Sequence, residues 1–387
     1  MEKSSPPQLH ILSITPFYPS HGDEVSGCFV AEVLRQLQDY GVTSSVMAVD
    51  SIYRPVNKSN HDFPAEWIRY PQFPGNLGLS SAGNFLGAVL LSKVRKLHQR
   101  SPLSLIHAHA ALPCGHAAAF LSRRLGIPLV VTIHGLDVFN RCFQNGIAAR
   151  WRRKISQSVY RSAHKTICIS EKVQAVLKDG MSTPIAAEVV HNGTDPTLFA
   201  PGAAADGPPT ILIVGNLLAG KGHEIVLKAF SKLTDSHSNM QCNVIGDGAD
   251  RNRFTALAQD LGISDHVHFL GRRGRAGVAE AMRNCTVFAL PSRYEGLGCV
   301  YLEAMACGKP AIACSGQGIE GIIHHGTNGW LVPVDGLEEL VQGLRTLLGN
   351  AELRARIGEA ARQTILQGLT LSHQARKLMS IYQEVAR

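Results

Sequence analysis

The stretch Thr286-Val-Phe-Ala-Leu-Pro-Ser-Arg-Tyr-Glu-Gly-Leu-Gly-Cys-Val-Tyr-Leu-Glu-Ala-Met-Ala-Cys-Gly308 runs through three kinds of sequence in succession. Thr286–Leu290 is a short apolar run of the length expected for a buried strand. From Pro291 to Gly298 the chain is a loop, in which the glycines open a close approach to the backbone. Cys299 to about Cys307 reads as a short helix, stopped by Gly308 with Pro310 just beyond. Strand, glycine-containing loop and helix in this order belong to a βαβ unit, and hence to a parallel sheet covered by helices. The helix is apolar nearly all round, with Val300, Leu302, Ala304, Met305 and Ala306, yet it carries Glu303. A carboxylate in such surroundings costs on the order of several kcal/mol unless something satisfies it. Two partners are open: an Arg or Lys from a neighbouring element, or a ligand reached past the glycines. Exposed amides at a helix N-terminus favour phosphate. An acid at each end of the loop, Glu295 and Glu303, suits hydroxyls on both sides of a diphosphate.

The same alternation extends outward in both directions. Apolar runs at Leu9–Ile14, Ser45–Val49, Ser104–His109, Pro128–Ile133, Lys165–Ile169 and Glu188–His191 form one strand series. A second comprises Thr210–Val214, Gln241–Ile245, His266–Leu270, Thr286–Leu290 and Pro310–Ala313. Most are separated by segments long enough for a crossover helix, which makes them parallel. Between the two series, Phe199 to Pro209 is a Pro/Gly/Ala stretch without periodicity and reads as a linker. The expected fold class is therefore α/β, with two doubly wound domains over residues 1–200 and 201–370. A C-terminal segment, 371–387, holds a last helix at about Ser372 to Ala386 that is expected to return to the first domain. Ligands of open parallel sheets sit beyond the carboxyl ends of the strands, so the cleft between the domains is the expected site.

Composition agrees with a packed α/β protein. The chain has 387 residues, 45% apolar and 18% charged, enough for two cores rather than one. Its formal net charge of +8 points to an anionic partner without choosing one. Nine scattered cysteines, with no C-x-x-C pair, read as reduced thiols. Met1 to Gln8 lacks the apolar run of a signal peptide, and Phe85 to Leu91 is far too short to span a bilayer. The expected location is cytoplasmic, or peripheral on the inner face of a membrane.

Two glutamates separated by seven residues, here Glu295 and Glu303, are the mark of glycosyltransferase family four, and the chain resembles that family along most of its length. His191-Asn-Gly-Thr-Asp195 with Phe199 and Pro201 is similar to the family's turn before the linker. Ile245-Gly-Asp-Gly248, Val267-His-Phe-Leu-Gly271 and Gly326-Thr-Asn-Gly329 with Leu331 and Val332 resemble its later strand ends and the segment after the donor site. The resemblance implies the GT-B fold, two Rossmann-like domains facing across a cleft. It also implies retaining transfer from a UDP- or GDP-sugar to a glycan or lipid-linked acceptor, in polysaccharide or glycolipid biosynthesis. By the same resemblance Glu303 binds the ribose hydroxyls and Glu295 contacts the donor sugar. The backbone at Gly296, Leu297 and Gly298 lies along sugar and diphosphate, and Gly246 stands at a donor-side strand end.

Gly215-Asn-Leu-Leu-Ala-Gly220-Lys221-Gly222 nearly fits the phosphate loop of an NTPase. Gly222 occupies the place of the magnesium-binding hydroxyl, however, and Asp247 is the nearest candidate acid, inside a Gly-Asp-Gly turn. The family pattern fits better. Lys221 matches the lysine that neutralises the diphosphate, while Asn216 stands where the family usually has arginine. That departure shifts the demand to Lys221 or to another base; Arg272, Arg273 and Arg275, after a strand end, read equally as such bases or as a solvated loop.

In the first domain, Thr15 to Gly22 and Ser26-Gly27-Cys28-Phe29 precede a helix with Val30, Val33, Leu34 and Leu37 on one face. The family has a Gly-Gly pair here. Gly27 matches one member, Ser26 replaces the other, and His21–Val25 resembles an insertion directed to the acceptor. His107 and His109 share one face of a strand, with His116 and His134 following. A metal cluster is disfavoured, because no Cys or carboxylate falls at ligand spacing. His134-Gly-Leu-Asp137 instead matches the H-G-x-D segment whose histidine faces the donor sugar; Asp137 is a candidate acceptor or sugar contact, and His109 reads either as another or as a structural residue. No D-x-D motif occurs, and no metal or other cofactor is expected.

Two stretches are basic for their length. Gly83–Arg100 carries Lys93, Arg95, Lys96 and Arg100 without an acid, and Arg141–Lys165 has seven bases around Trp151 and no acid. They read equally as crossover helices with solvated charges or as a peripheral surface for anionic membrane; nucleic acid is not an expected partner. Two rival functions share the expected fold: a nucleotide-sugar epimerase and a non-catalytic nucleotide-sugar-binding protein.

Overall fold

The structure is a computed structural model that describes residues 9–53, 62–71, 79–135, 146–181, 184–202, 207–234 and 238–387. It divides into two compact units, Met1–His191 with Leu371–Arg387, and Asn192–Thr370.

The first unit is built on a sheet of seven strands among the described residues: β1 (Leu9–Thr15), β2 (Val42–Ser51), β3 (Glu66–Tyr70), β4 (Leu105–His109), β5 (Leu129–Ile133), β6 (Lys165–Cys168) and β7 (Ala187–Val189). Their order is β3-β2-β1-β4-β5-β6-β7, and every pairing is parallel. Strands β4 and β5 are buried along their whole length. That explains their continuous apolar reading, since a parallel sheet is covered on both faces. Helix α1 (Cys28–Gln38) buries Val30, Val33, Leu34 and Leu37, the face its periodicity marks. The other helices of this unit are α2 (Leu79–Arg100), α3 (His116–Leu125), α4 (Ile147–Ser162) and α5 (Glu171–Asp179).

Among the described residues the second unit has six strands, β8 (Thr210–Val214), β9 (Gln241–Ile245), β10 (Val267–Gly271), β11 (Val287–Ala289), β12 (Ala311–Cys314) and β13 (Trp330–Val332). They are ordered β10-β9-β8-β11-β12-β13 and all parallel. Its helices are α6 (His223–Ser231), α7 (Arg251–Asp260), α8 (Arg275–Asn284), α9 (Cys299–Ala306), α10 (Leu337–Gly349) and α11 (Ala351–Gly368). Ile211, Phe230, Val244, Phe288, Leu302 and Met305 lie in its core. Phe199, at the start of the stretch that reads as a linker, is buried too.

A final helix, α12 (Leu371–Val385), belongs to the first unit. Its Leu378, Ile381 and Tyr382 join the cluster formed by Ile11, Val33, Leu37, Leu105 and Val130. Lys165 of β6 reaches Glu384 on this helix at 2.9 Å, and Tyr40 shares a hydrogen bond of 2.6 Å with Ser372.

Both units are Rossmann-like doubly wound sheets, as the alternation of strands and helices led us to expect. Two strands escaped that reading. β3 is an edge strand whose buried residues, Ile68 and Tyr70, alternate with exposed Glu66 and Arg69. Such a half-buried pattern does not stand out beside continuous apolar runs. β13 is three residues long and directly follows the turn at Gly329.

In each sheet the chain winds outward from two neighbouring central strands in opposite directions. The reversal falls between β1 and β4 in the first unit and between β8 and β11 in the second. Loops that leave the carboxyl ends of such a strand pair splay apart and open a binding crevice.

Candidate functional site

In the second unit the crevice is lined by the two loops that carry the sequence signatures. The first leaves β8 as Gly215–Gly222 and enters α6. The second leaves β11 as Leu290–Gly298 and enters α9. They touch through backbone. Gly222 has φ 86°, and a Cβ there would lie 2.6 Å from the Pro291 carbonyl oxygen, so the position admits only glycine. The Arg293 amide donates to the Gly220 carbonyl at 2.8 Å, and the Ser292 hydroxyl donates to the Lys221 carbonyl at 3.3 Å.

This lacing brings Lys221 and Glu295 together. Lys221 Nζ donates to Glu295 Oε2 at 2.8 Å, with the two side chains 30% and 16% exposed. The pair is thus screened from bulk water yet reachable. Glu295 is fixed through its backbone as well: its amide donates to the Gln317 side-chain carbonyl at 3.1 Å, and its carbonyl accepts from the Gly318 amide at 3.0 Å. Gln317 was not legible in the sequence. The signal that could have found it is its place in the loop after β12, the next strand outward from β11.

Gly298 caps α9 with φ 79°, and a Cβ there would meet the Tyr301 ring at 2.5 Å and Glu295 Cγ at 3.0 Å. Tyr301 in turn donates its hydroxyl to the Leu290 carbonyl, tying the helix to the start of its own loop. Leu297 is fully buried and Gly296 is buried beside it. The amino termini of α6 and α9 are capped by Gly222 and Gly298 without a side-chain hydrogen bond. Both therefore offer positive dipole ends and first-turn amides to an anion.

Gly246 has a local structural reason to be glycine. A Cβ there would lie 1.9 Å from the Gly215 carbonyl oxygen, and the turn it begins is bound into the first loop by Leu217 N to Asp247 O and Asp250 N to Leu217 O, each 3.0 Å. Asn216 and Arg272 are exposed at the ends of β8 and β10, outside the Lys221–Glu295 pair. Glu303 is 3% exposed and its carboxylate is engaged by Arg275 from the start of α8. Arg275 is thus one of the two kinds of partner read in the sequence for Glu303.

The first unit holds a second group of candidates at the carboxyl ends of β4 and β5. Gly27 caps α1 with φ 75°, and a Cβ there would be 2.2 Å from the Phe17 carbonyl carbon. Where the family has its other glycine, Ser26 donates its amide and hydroxyl to the Asp23 carboxylate at 3.1 and 2.7 Å. His21–Val25 thus folds into a closed turn. His134 lies between Phe17 and Phe29, at ring centroid distances of 5.7 and 5.1 Å. Its Nε2 shares a hydrogen bond of 2.9 Å with His109 Nδ1. Behind them His107 bonds Tyr382 and Thr132, each at 2.7 Å. Burial holds His107 and His134 down at about 3, with the neighbouring His134 adding to the effect on His107. It holds His109 well below the usual imidazole range. All three are neutral at pH 7. Among the described residues, His109 Nε2 and His134 Nδ1 are buried without a hydrogen-bond partner. Asp137 lies outside the described residues. No group of three His, Cys, Asp or Glu side chains among the described residues is disposed around a metal position.

The family model for glycosyl transferases group 1 matches residues 195–364, and that for glycosyltransferase family 4 matches residues 28–198. An uncharacterized glycosyltransferase of Methanocaldococcus jannaschii is 31% identical over 262 residues, which cover 67% of this chain and 70% of that protein. The chain belongs to the group 1 glycosyltransferases of family 4. Among solved structures, sucrose-phosphate synthase from Thermosynechococcus elongatus superposes with a TM-score of 0.79 at 21% identity, covering 97% of this chain and 98% of that one. The Anabaena protein HepE in complex with UDP and glucose gives 0.78 at 19% identity, covering 97% and 100%. These likenesses establish the GT-B fold. The protein is accordingly a glycosyltransferase, and no helix of its described residues is long and apolar enough to cross a membrane.

Proposed function

We propose that this glycosyltransferase is a retaining enzyme that moves a sugar from a UDP- or GDP-sugar to a hydroxyl of a glycan or lipid-linked acceptor. The observation that carries the reading is the Lys221–Glu295 pair, held at the strand reversal of the second unit between two glycine-capped helix ends. A cation next to first-turn amides suits a diphosphate, and a carboxylate alongside suits the hydroxyls of the sugar it carries. In this reading Lys221 and the amides after Gly222 and Gly298 meet the charge that develops on the leaving diphosphate, so that no metal ion is required. Glu295 contacts the donor sugar and Glu303 the ribose. The neutral state of His134 suits a hydrogen bond to a hydroxyl rather than a proton donation. UDP and glucose bound to HepE, whose fold is similar, support a uridine donor.

The acceptor oxygen forms its bond to the anomeric carbon on the face from which the diphosphate departs. The bond from that carbon to the phosphate oxygen breaks, and the phosphate oxygen takes the acceptor proton. A membrane-facing acceptor is supported by α4, where Ile147 and Trp151 stand one turn apart and are 80% and 50% exposed. Arg150, Arg153 and Lys154 are exposed around them.

Incubation with a panel of UDP- and GDP-sugars, followed by mass spectrometry, tests the reading. Slow hydrolysis of one donor without acceptor, and transfer with acceptor, is the expected result. An isomerised donor identifies an epimerase instead, and binding without turnover a non-catalytic protein.

A further inference from the structure

Glu303 sits on α9 among buried Tyr301, Leu302, Ala304, Met305 and Ala306, with its side chain 4% exposed. A carboxylate accepts up to about four hydrogen bonds. Here Oε1 receives Arg275 Nη1, no described residue donates to Oε2, and Oε2 keeps access to solvent. The guanidinium is itself held, since its central carbon lies 4.7 Å from the centroid of the buried Phe199 ring. Arg275 opens α8, so its backbone is set by a different strand–helix turn from the one that sets Glu303. The carboxylate is therefore clamped by one oxygen and left open by the other. A charged group this enclosed is either fully satisfied or awaits a donor. A planar guanidinium stacked on an aromatic ring fixes the rotation of the carboxylate it holds, which a flexible ammonium does not.

Building on the donor reading above, we infer that Arg275 is a positioning residue for nucleotide recognition: it grips Glu303 Oε1 so that Oε2 is presented to a ribose hydroxyl. Arg275 and the ribose do not compete for Glu303; the ion pair persists when the nucleotide binds. Ribose selectivity then depends on a residue that never touches the nucleotide.

The test is calorimetric titration of the full chain with UDP and GDP and with their 2′-deoxy and 3′-deoxy counterparts. The wild type, Arg275→Met and Arg275→Lys are compared after thermal unfolding has verified that each is folded. In the wild type the ribonucleotide should bind roughly tenfold more tightly than at least one deoxy analogue, and in Arg275→Met the preference should shrink to within about threefold. The loss should fall on the ribonucleotide and leave the deoxy analogue nearly unchanged, an effect that general loosening of the fold would not produce. Arg275→Lys, which keeps the charge but loses the planar fork, should lie between, and it decides the matter if Arg275→Met does not fold. An undiminished preference in a folded variant overturns the inference, as does tighter ribonucleotide binding, which would mean that Arg275 competes with the ligand. A wild type that binds nucleotides without any ribose preference overturns the role of Glu303 and this inference with it. A wild type that binds no nucleoside diphosphate overturns the donor reading itself.

Discussion

Lys221 Nζ and Glu295 Oε2 are 2.8 Å apart although 74 residues separate them in the chain, because a carbonyl of each loop accepts a hydrogen bond or would block a Cβ from the other. The pair is a product of two backbones packed against each other, so both its chemistry and its scaffold can be probed.

Lys221→Ala removes the cation and leaves Glu295 mostly enclosed. Turnover should fall by about 10² to 10³, the usual effect of deleting a charge that stabilises a leaving group. Binding of a nucleoside diphosphate, followed by calorimetry, should weaken as well. Unchanged turnover would falsify the placement of the diphosphate at Lys221.

Gly298→Ala forces a side chain into the left-handed region and against the Tyr301 ring. The expected loss of stability is about 1–3 kcal/mol. Denaturant unfolding measures it, and donor affinity should drop in parallel because Glu295 Cγ is the next atom in the way. A variant as stable as the wild type would mean that the loop has room to rearrange.

Stability should fall on acidification. His107, His109 and His134 all titrate below their ordinary value in the folded state. In the unfolded chain each titrates near 6.5. The unfolded state therefore binds more protons, and the stability they contribute is complete above pH 6.5 and lost as the pH falls toward about 3. Uptake of up to about three protons on unfolding near pH 5 sets an upper slope of about 4 kcal/mol per pH unit. Urea titrations at pH 7, 6 and 5 measure this slope, and equal stability at all three would contradict the buried neutral assignment.

The exposed Ile147 and Trp151 on α4 lead to a lipid prediction. The protein should sediment with vesicles that contain anionic lipid, and less so as salt rises through the physiological range. Trp151 emission should shift to the blue on binding. Trp151→Ala with Ile147→Ser should reduce sedimentation. Equal binding to purely zwitterionic vesicles, or none to anionic ones, removes the membrane from the account.

Some of this was legible in the sequence because it depends on neighbours along the chain. Strands buried on both faces, such as β4 and β5, read as unbroken apolar runs, and the helix carrying Glu303 announces itself by the glycines that bracket it. The spacing of Glu295 and Glu303 is likewise local. What pairs with these residues is not. Arg275 reads as a base in an exposed loop until α8 brings it to Glu303. Gln317 has no feature to distinguish it from any other loop amide. The strand Glu66–Tyr70 gives a weak signal because an edge position asks for only two buried side chains. The cysteines are the converse case: with no pattern in the sequence, they prove mostly buried and outside any disulfide among the described residues, which makes them small apolar core residues.

The return of α12 to the first unit sets an order of events on the ribosome. The second unit is continuous in the chain, from Asn192 to Thr370, and can close its core as soon as it emerges. The first cannot, because Leu378, Ile381 and Tyr382 fill its core and Tyr382 supplies a partner for buried His107. Although synthesised first, it waits with an open face, and with His107 short of one of its two hydrogen-bond partners, until everything through α12 has been made. A chain interrupted after residue 370 would carry a finished second unit beside an unfinished first one.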